Sequence, residues 1–208
     1  TDWNNSLLPE LETLAEQLNQ QTSCRLVRAR GLARLSAWTA FGYCFPEVAR
    51  YTIEIEQQGK FWRTDATPND KFVLAISSKD TNPNGEILDG TGNIVAVGIS
   101  VTGLLDDDVR RHLETRTEKI AALLLIRPQN ELGRECFKEA GDVVALADKA
   151  KEVIRNFVKH WQSTRLWLYY FGPLSGACFL GHRLNAVCRE IQIMEDQQPG
   201  YAPSFLLQ

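Results

Sequence analysis

The sequence predicts an α/β fold made of two like units, and three observations carry that prediction. Residues 166–171 form an unbroken apolar and aromatic run, which suits a central strand buried on both faces. Gly172-Pro173 stops the run, because proline has no N–H for a strand ladder, and Leu174-Ser175-Gly176-Ala177 opens a helix directly behind it. The same succession occurs earlier. Shifted by 139 residues, LSAWTAFG (Leu35–Gly42) lies on LSGACFLG (Leu174–Gly181), with Leu35 on Leu174, Ser36 on Ser175 and Gly42 on Gly181. Upstream, Arg25-Leu26 faces Arg165-Leu166 with one residue's slip. Downstream, Tyr-Thr-Ile-Glu-Ile (51–55) faces Arg-Glu-Ile-Gln-Ile (189–193), and Gln57-Gln58 faces Gln197-Gln198. Two copies of one strand, turn, helix and strand unit, related by a pseudo-twofold axis, explain that order. The competing explanation is chance recurrence of common residues around a generic β-α-β.

Each element has a local cause. Pro9 sits near the start of a helix over about residues 7–20, with Leu11, Leu14 and Leu18 on one face. CRLVRARG is a short strand carrying Arg25, Arg28 and Arg30, followed by Arg34. Leu35 to Phe45 is a helix, Tyr51 to Glu56 an alternating strand, and Lys60 to Thr64 its hairpin return. Phe72 to Ile76 is a buried strand. The turn-rich residues 78–93 mark the boundary between units, giving residues 24–88 and 89–208. Asn93 to Val101 and Ala121 to Ile126 are strongly apolar strands. Asp106, Asp107 and Asp108 open the helix between them and complement its dipole. Over residues 142–161, Val143, Leu146, Ala147, Ala150, Val153, Ile154, Phe157 and Trp161 fall on one helical stripe. After the focal strand and helix, strands at Glu190–Met194 and Tyr201–Leu207 close the chain.

Composition narrows the functions. A net charge of −3 argues against a general nucleic-acid coat or a membrane-surface protein, and no apolar run approaches the length of a membrane span. Five cysteines without a C-x-x-C read as reduced core residues of a cytosolic protein. His112, His160 and His182 lie on three separate helices without metal-ligand spacing, so no metal or other cofactor is expected. The sequence has no P-loop lysine, G-x-G-x-x-G or nucleophile elbow. The chain starts at Thr1 without an initiator Met, and residues 1–23 are expected to be a helix and linker from a missing partner domain.

Open α/β sheets bind ligands at the turns after their strands, where helix N-termini offer free N–H groups. In the first unit these turns carry Arg30, Arg34, Ser36 and Trp38. Ser36 is expected to donate to a phosphate, Arg34 to neutralise it, and Trp38 or Trp62 to stack on a base. In the second unit they carry Gly172, Pro173, Leu174 and Ser175, with Ser175 as helix cap. Ser100 and Thr102 with Gly103, and Arg127 with Pro128 and Gln129, end neighbouring strands and are expected to line the floor. Tyr169 and Tyr170 alternate faces, so at most one reaches the pocket. No catalytic residue is nominated.

These residues resemble the SAVED family. The run from Arg165 to Leu207 shows its apolar strand, its G-P turn, a small-residue helix with Leu180-Gly181, a strand ending at Met194-Glu195, and a final Tyr201-x-Pro203. Upstream, Arg30-Gly31, Gly59-Lys60-Phe61-Trp62 and Thr64-Asp65-Ala66 agree, so the resemblance runs from about residue 24 to the end. It implies two fused CARF-like, Rossmann-like units with mixed, mostly parallel sheets flanked by helices. It further implies a non-catalytic cytoplasmic sensor that binds a cyclic di- or trinucleotide in bacterial antiphage (CBASS) signalling, with a dinucleotide favoured. Ligand would drive self-association and switch on a fused effector such as an HNH endonuclease. No membrane and no direct nucleic-acid contact are expected. The rival from another class is an α/β hydrolase or phosphodiesterase that cleaves such a ligand, with Ser36 or Ser175 as nucleophile. A structural oligomerisation domain without ligand is a third possibility.

Overall fold

The longest apolar runs become the middle of a sheet. The computed structural model describes residues 2–21, 23–57, 59–78, 81–129, 132–198 and 200–208. A π-helical turn (Trp3–Leu7) leads into α1 (Leu8–Gln21), β1 (Leu26–Ala29), α2 (Leu35–Cys44), a 3-10 turn (Glu47–Ala49), β2 (Thr52–Gln57) and β3 (Lys60–Arg63). There follow β4 (Leu74–Ile76), β5 (Glu86–Ile87), β6 (Ile94–Ser100), α3 (Asp106–Glu114), β7 (Ile120–Pro128) and α4 (Ala140–His160). The chain closes with β8 (Arg165–Phe171), α5 (Leu174–Arg183), β9 (Glu190–Asp196) and β10 (Tyr201–Leu207).

Among the described residues the strands form two sheets. The smaller has the order β1-β2-β3, with β1 parallel to β2 and β3 antiparallel. The larger has the order β10-β9-β8-β6-β7-β4, with β9, β8, β6 and β7 parallel and both edges antiparallel; β5 also pairs with β7. All of β6 is buried, as a strand covered on both faces requires. Its side chains alternate between Val95, Val97 and Ile99 in the main core and Ile94 and Ala96 under α3.

The duplication is visible in the backbone. Both β1-α2-β2-β3 and β8-α5-β9-β10 pair parallel and then antiparallel. The N-caps of α2 and α5, Arg34 and Pro173, have φ/ψ of −64°/151° and −64°/152°. The two helices cross where a Cβ on Gly42 would lie 2.0 Å from the Cys178 carbonyl oxygen, and a Cβ on Gly181 would lie 2.0 Å from that of Thr39. Thr39 corresponds to Cys178 as Gly42 does to Gly181, so the crossing maps onto itself. Glycine is required on both sides because the backbones touch.

Three expectations need correction. β4 and β5, assigned to the first unit by a boundary at residue 88, both pair with β7 in the larger sheet. The change of sheet falls after β3; the polar composition of 78–93 marks edge loops instead. Gln57 corresponds to Glu195 through the strand register (Leu26 opposite Thr52, Arg165 opposite Glu190), not to Gln197, and Gln58 lies outside the described residues. All five cysteines are reduced, but Cys24 is exposed, whereas Cys178 is buried and the other three are half-buried.

Candidate functional site

The N-terminus of α2 meets the carboxyl ends of β8 and β9, and a cavity of about 260 Å³ lies between them. Arg34, Ser36 and Thr39 come from α2 and its cap, Tyr170 and Phe171 from β8, and Met194, Glu195 and Asp196 from β9, with Tyr201 closing one side. Glu195 is only 6% exposed. Its carboxylate accepts the Ser36 N–H at 3.3 Å and the Arg34 Nη1 at 3.3 Å, and Arg34 also donates to the Asp196 carbonyl at 3.3 Å. The Ser36 hydroxyl, in a residue 2% exposed, has no partner among the described residues. A buried hydroxyl left unpaired costs about 1–3 kcal/mol, so such atoms mark places where a ligand or water is expected.

The other helix entrance is built alike. The Ser175 N–H donates to Gln57 Oε1 at 2.9 Å, so each helix is capped from a strand of the opposite unit. Ser175 is therefore not the cap; Pro173 holds that position and the serine hydroxyl is buried without a partner. The Tyr170 hydroxyl donates to the Pro173 carbonyl at 3.0 Å. Its ring tip covers Gly172 and Gly176, where a Cβ would come within 2.4 and 1.9 Å of it. Tyr170 reaches the cavity, while Tyr169 lies on the far face, bonded to His112.

The carboxylate of Glu195 changes the chemistry expected of this entrance. Arg34 and Ser36 were expected to take a phosphate, yet an anion already sits on them. A second charge 4 Å away would be repelled by about 4 kcal/mol at an effective dielectric of 20. Arg34 keeps 62% of its side chain in solvent, so its remaining donors stay available outside the cavity.

The other expected site residues disperse. Arg30 and Trp38 line a separate, apolar groove of about 650 Å³ between α1, the β1–α2 loop and α2. Trp38 is 6% exposed and packs edge-on to Phe41, and Trp62 is 5% exposed in the core, so neither offers a ring face to a base. Trp62 was expected to be available because it lies on a hairpin beside polar residues, but its side chain turns inward there. Ser100 is buried and holds the α3 entrance, donating to Asp106 and accepting the Leu105 N–H. Thr102 bonds through its N–H to Phe171, Arg127 pairs with Ala75, Pro128 with Leu74, and the Gln129 N–H reaches Val73. These residues share the carboxyl edge of the sheet, but they, Gly172, Pro173, Leu174 and Ser175 lie outside the cavity lining. Glu195, Asp196, Met194, Tyr201 and Thr39 were missed. Aligning Gln57 with Glu195 would have exposed the first of them.

Two of the histidines, His112 and His182, are buried and hydrogen-bonded within the fold. Arg116 Nε donates to His112 Nε2 at 2.9 Å, which places the ring proton on Nδ1, facing the Tyr169 hydroxyl at 2.8 Å. Burial, with Arg116 adding to it, lowers the His112 pKa to about 4. His182 bonds the Phe45 carbonyl, and burial lowers it likewise to about 4. Among the described residues no His, Cys, Asp and Glu group could hold a metal ion, and no helix is long and apolar enough to cross a membrane.

Two β-α-β units of one plan, with a small cavity where α2 of the first meets β8 and β9 of the second, are thus the frame of the chain. The chain belongs to the SAVED family, described as "SMODS-associated and fused to various effectors sensor domain", whose profile matches residues 8–207. A CD-NTase-associated protein 4 from Acinetobacter sp. is 24% identical over 205 residues, covering 98% of this chain and 41% of that protein. The Cap4 SAVED/CARF-domain containing receptor of Acinetobacter baumannii, solved with the cyclic trinucleotide 2'3'3'-cAAA, superposes with a TM-score of 0.81 at 20% identity, over 98% of this chain and 43% of that one. The Moraxella osloensis Cap4 receptor gives 0.73 at 22%, over 99% and 42%. The chain thus spans about two-fifths of these relatives, and its fold is theirs.

Proposed function

We propose that this chain is the sensor part of an antiphage effector and binds a cyclic oligonucleotide second messenger at the junction of its two units, in the cytoplasm. The observation that carries this reading is the cavity where α2 of one unit meets β8 and β9 of the other, with Arg34, Ser36 and the buried Glu195 among its lining residues. At about 260 Å³ it is smaller than the ~300–1,000 Å³ of pockets that enclose a whole drug-sized ligand. One base enters, and the ring lies across the mouth with its phosphates toward the solvent-facing donors of Arg34. The chain itself is not catalytic and needs no cofactor. Ligand shifts the population of packing states between protomers, and self-association activates a fused effector, an HNH endonuclease being the first to consider.

The relatives solved with cyclic trinucleotides make 2'3'3'-cAAA and 3'3'3'-cAAA the first ligands to test, with cyclic dinucleotides as the second arm. A ligand at 100 times its Kd stabilises the fold by about 2.7 kcal/mol, which raises Tm by roughly 5–11 °C in a domain of this size. The expected result is such a shift with the ligand recovered intact. Linear product would instead establish a phosphodiesterase, and no shift with any cyclic nucleotide would leave an oligomerisation domain.

A further inference from the structure

Resting on the sensor reading, we infer that Glu195 determines base specificity: it selects a nucleobase that presents an exocyclic amino group to the cavity. The pseudo-symmetry isolates what its charge is for. At the equivalent position Gln57 caps α5 with an amide oxygen, through a bond of 2.9 Å to the Ser175 N–H. Capping therefore needs only a carbonyl oxygen, and at α2 that bond is longer, 3.3 Å. The negative charge is additional, and it is placed in the wall of the cavity in a residue 6% exposed.

An ionised carboxylate only accepts hydrogen bonds, at about four lone-pair sites, and Ser36 and Arg34 use two of Glu195's. What remains fits N–H donors: the N6 amine of adenine, the N4 amine of cytosine, or the N1 and N2 hydrogens of guanine. Hypoxanthine and uracil keep one ring N–H (N1 and N3) but carry a keto oxygen where adenine and cytosine carry the amine, so a base seated with that exocyclic position against Glu195 sets two buried acceptors opposite each other. A site built this way rejects the wrong base because its own buried group is left unpaired.

The test measures affinities of the chain and of its Glu195→Gln variant for a panel of cyclic di- and trinucleotides. Each adenine or cytosine ligand is paired with the hypoxanthine or uracil ligand of the same ring and linkage. Glu195→Gln keeps the capping oxygen, as Gln57 shows at α5, and its amide can turn to donate to a keto group. Wild type is expected to prefer the amino member of a pair by roughly tenfold or more. The variant should lose that preference, and Gln57→Glu should leave it unchanged. Binding of some ligands with the same ranking in wild type and Glu195→Gln overturns the inference while the sensor reading stands. Binding of no ligand overturns both.

Discussion

The two helix entrances share one backbone and differ in everything attached to it. At α5, Tyr170 clasps the turn, Gln57 caps the helix without charge, and residues Ser175 to Arg183 are all buried. At α2, the residue equivalent to Tyr170 is Gly31, exposed at φ +134°, Leu32 beside it is fully exposed, and the cap is a carboxylate against an arginine. The far ends differ too. Arg183, with its side chain 7% exposed, binds Asp148 at 2.6 Å, Glu47 at 3.2 Å and the Thr64 carbonyl at 3.2 Å. Its counterpart on α2 is Cys44, whose thiol burial pushes up to about 12. Duplication gave two equal frames; one became a clamp between the units, and the other stayed open to a cavity and took on charge. A ligand site is therefore to be sought at α2.

The largest effect expected is the one that treats both copies alike. Gly42→Val and Gly181→Val each drive a side chain into a backbone carbonyl at the helix crossing. Overpacking costs about 1–3 kcal/mol when side chains can yield, and backbone yields less. Both variants should fail to give a cooperative thermal transition. Retention of wild-type Tm by either one would mean that the helices do not touch as the mirror requires.

Acid should come next. His112 and His182 titrate near 4 in the fold and near 6.5 when unfolded. Between those values the unfolded chain binds protons that the folded chain refuses, so stability falls as pH drops from about 6.5 to about 4, and these rings cost nothing at neutral pH. The two sit on opposite faces of the larger sheet, so the loss, on the order of a few kcal/mol, should come from both. Chemical denaturation at pH 7 and pH 5 checks it. Replacing either histidine by Gln should flatten the slope by about half.

Breaking the clamp should separate the copies. Arg183→Ala leaves Asp148 and Glu47, each about half exposed, without their cation, and a hydrogen bond to a charged group contributes about 1.5–3 kcal/mol. Cys44→Ala removes one half-buried thiol and should cost less than about 1 kcal/mol. Equal losses from the two would show that α5 carries no special load.

Much of this was legible in the chain, for physical reasons. Runs such as 94–100 and 166–169 are apolar without alternation, and only a strand covered on both faces explains that. The duplication showed because small residues at a backbone contact are hard to replace, which kept Gly42 and Gly181 in step. The site was less legible. Arginines and serines near helix starts suggested an anion, but the group that meets them, Glu195, lies 159 residues from Ser36 and came forward only through pairing across units. Trp62 looked available because polar residues flank it in a hairpin, while its side chain turns to the buried face of the strand. Arg30 and Arg34 are close in sequence, yet the turn through Gly31 sends them to different cavities.

The smallest effect is the most informative. Glu195→Gln removes an ion pair to Arg34, whose side chain is 62% in solvent, and such pairs contribute about 0–1 kcal/mol. The capping bond survives, because an amide oxygen performs it at Gln57. The Tm should therefore move by less than about 4 °C. A charge buried to this degree that adds so little to stability has another reason to be there, and the ligand measurements should find it. A larger fall, of 10 °C or more, would mean that the carboxylate holds α2 in place; the two entrances would then be two clamps, and the asymmetry between them would carry no information about a ligand.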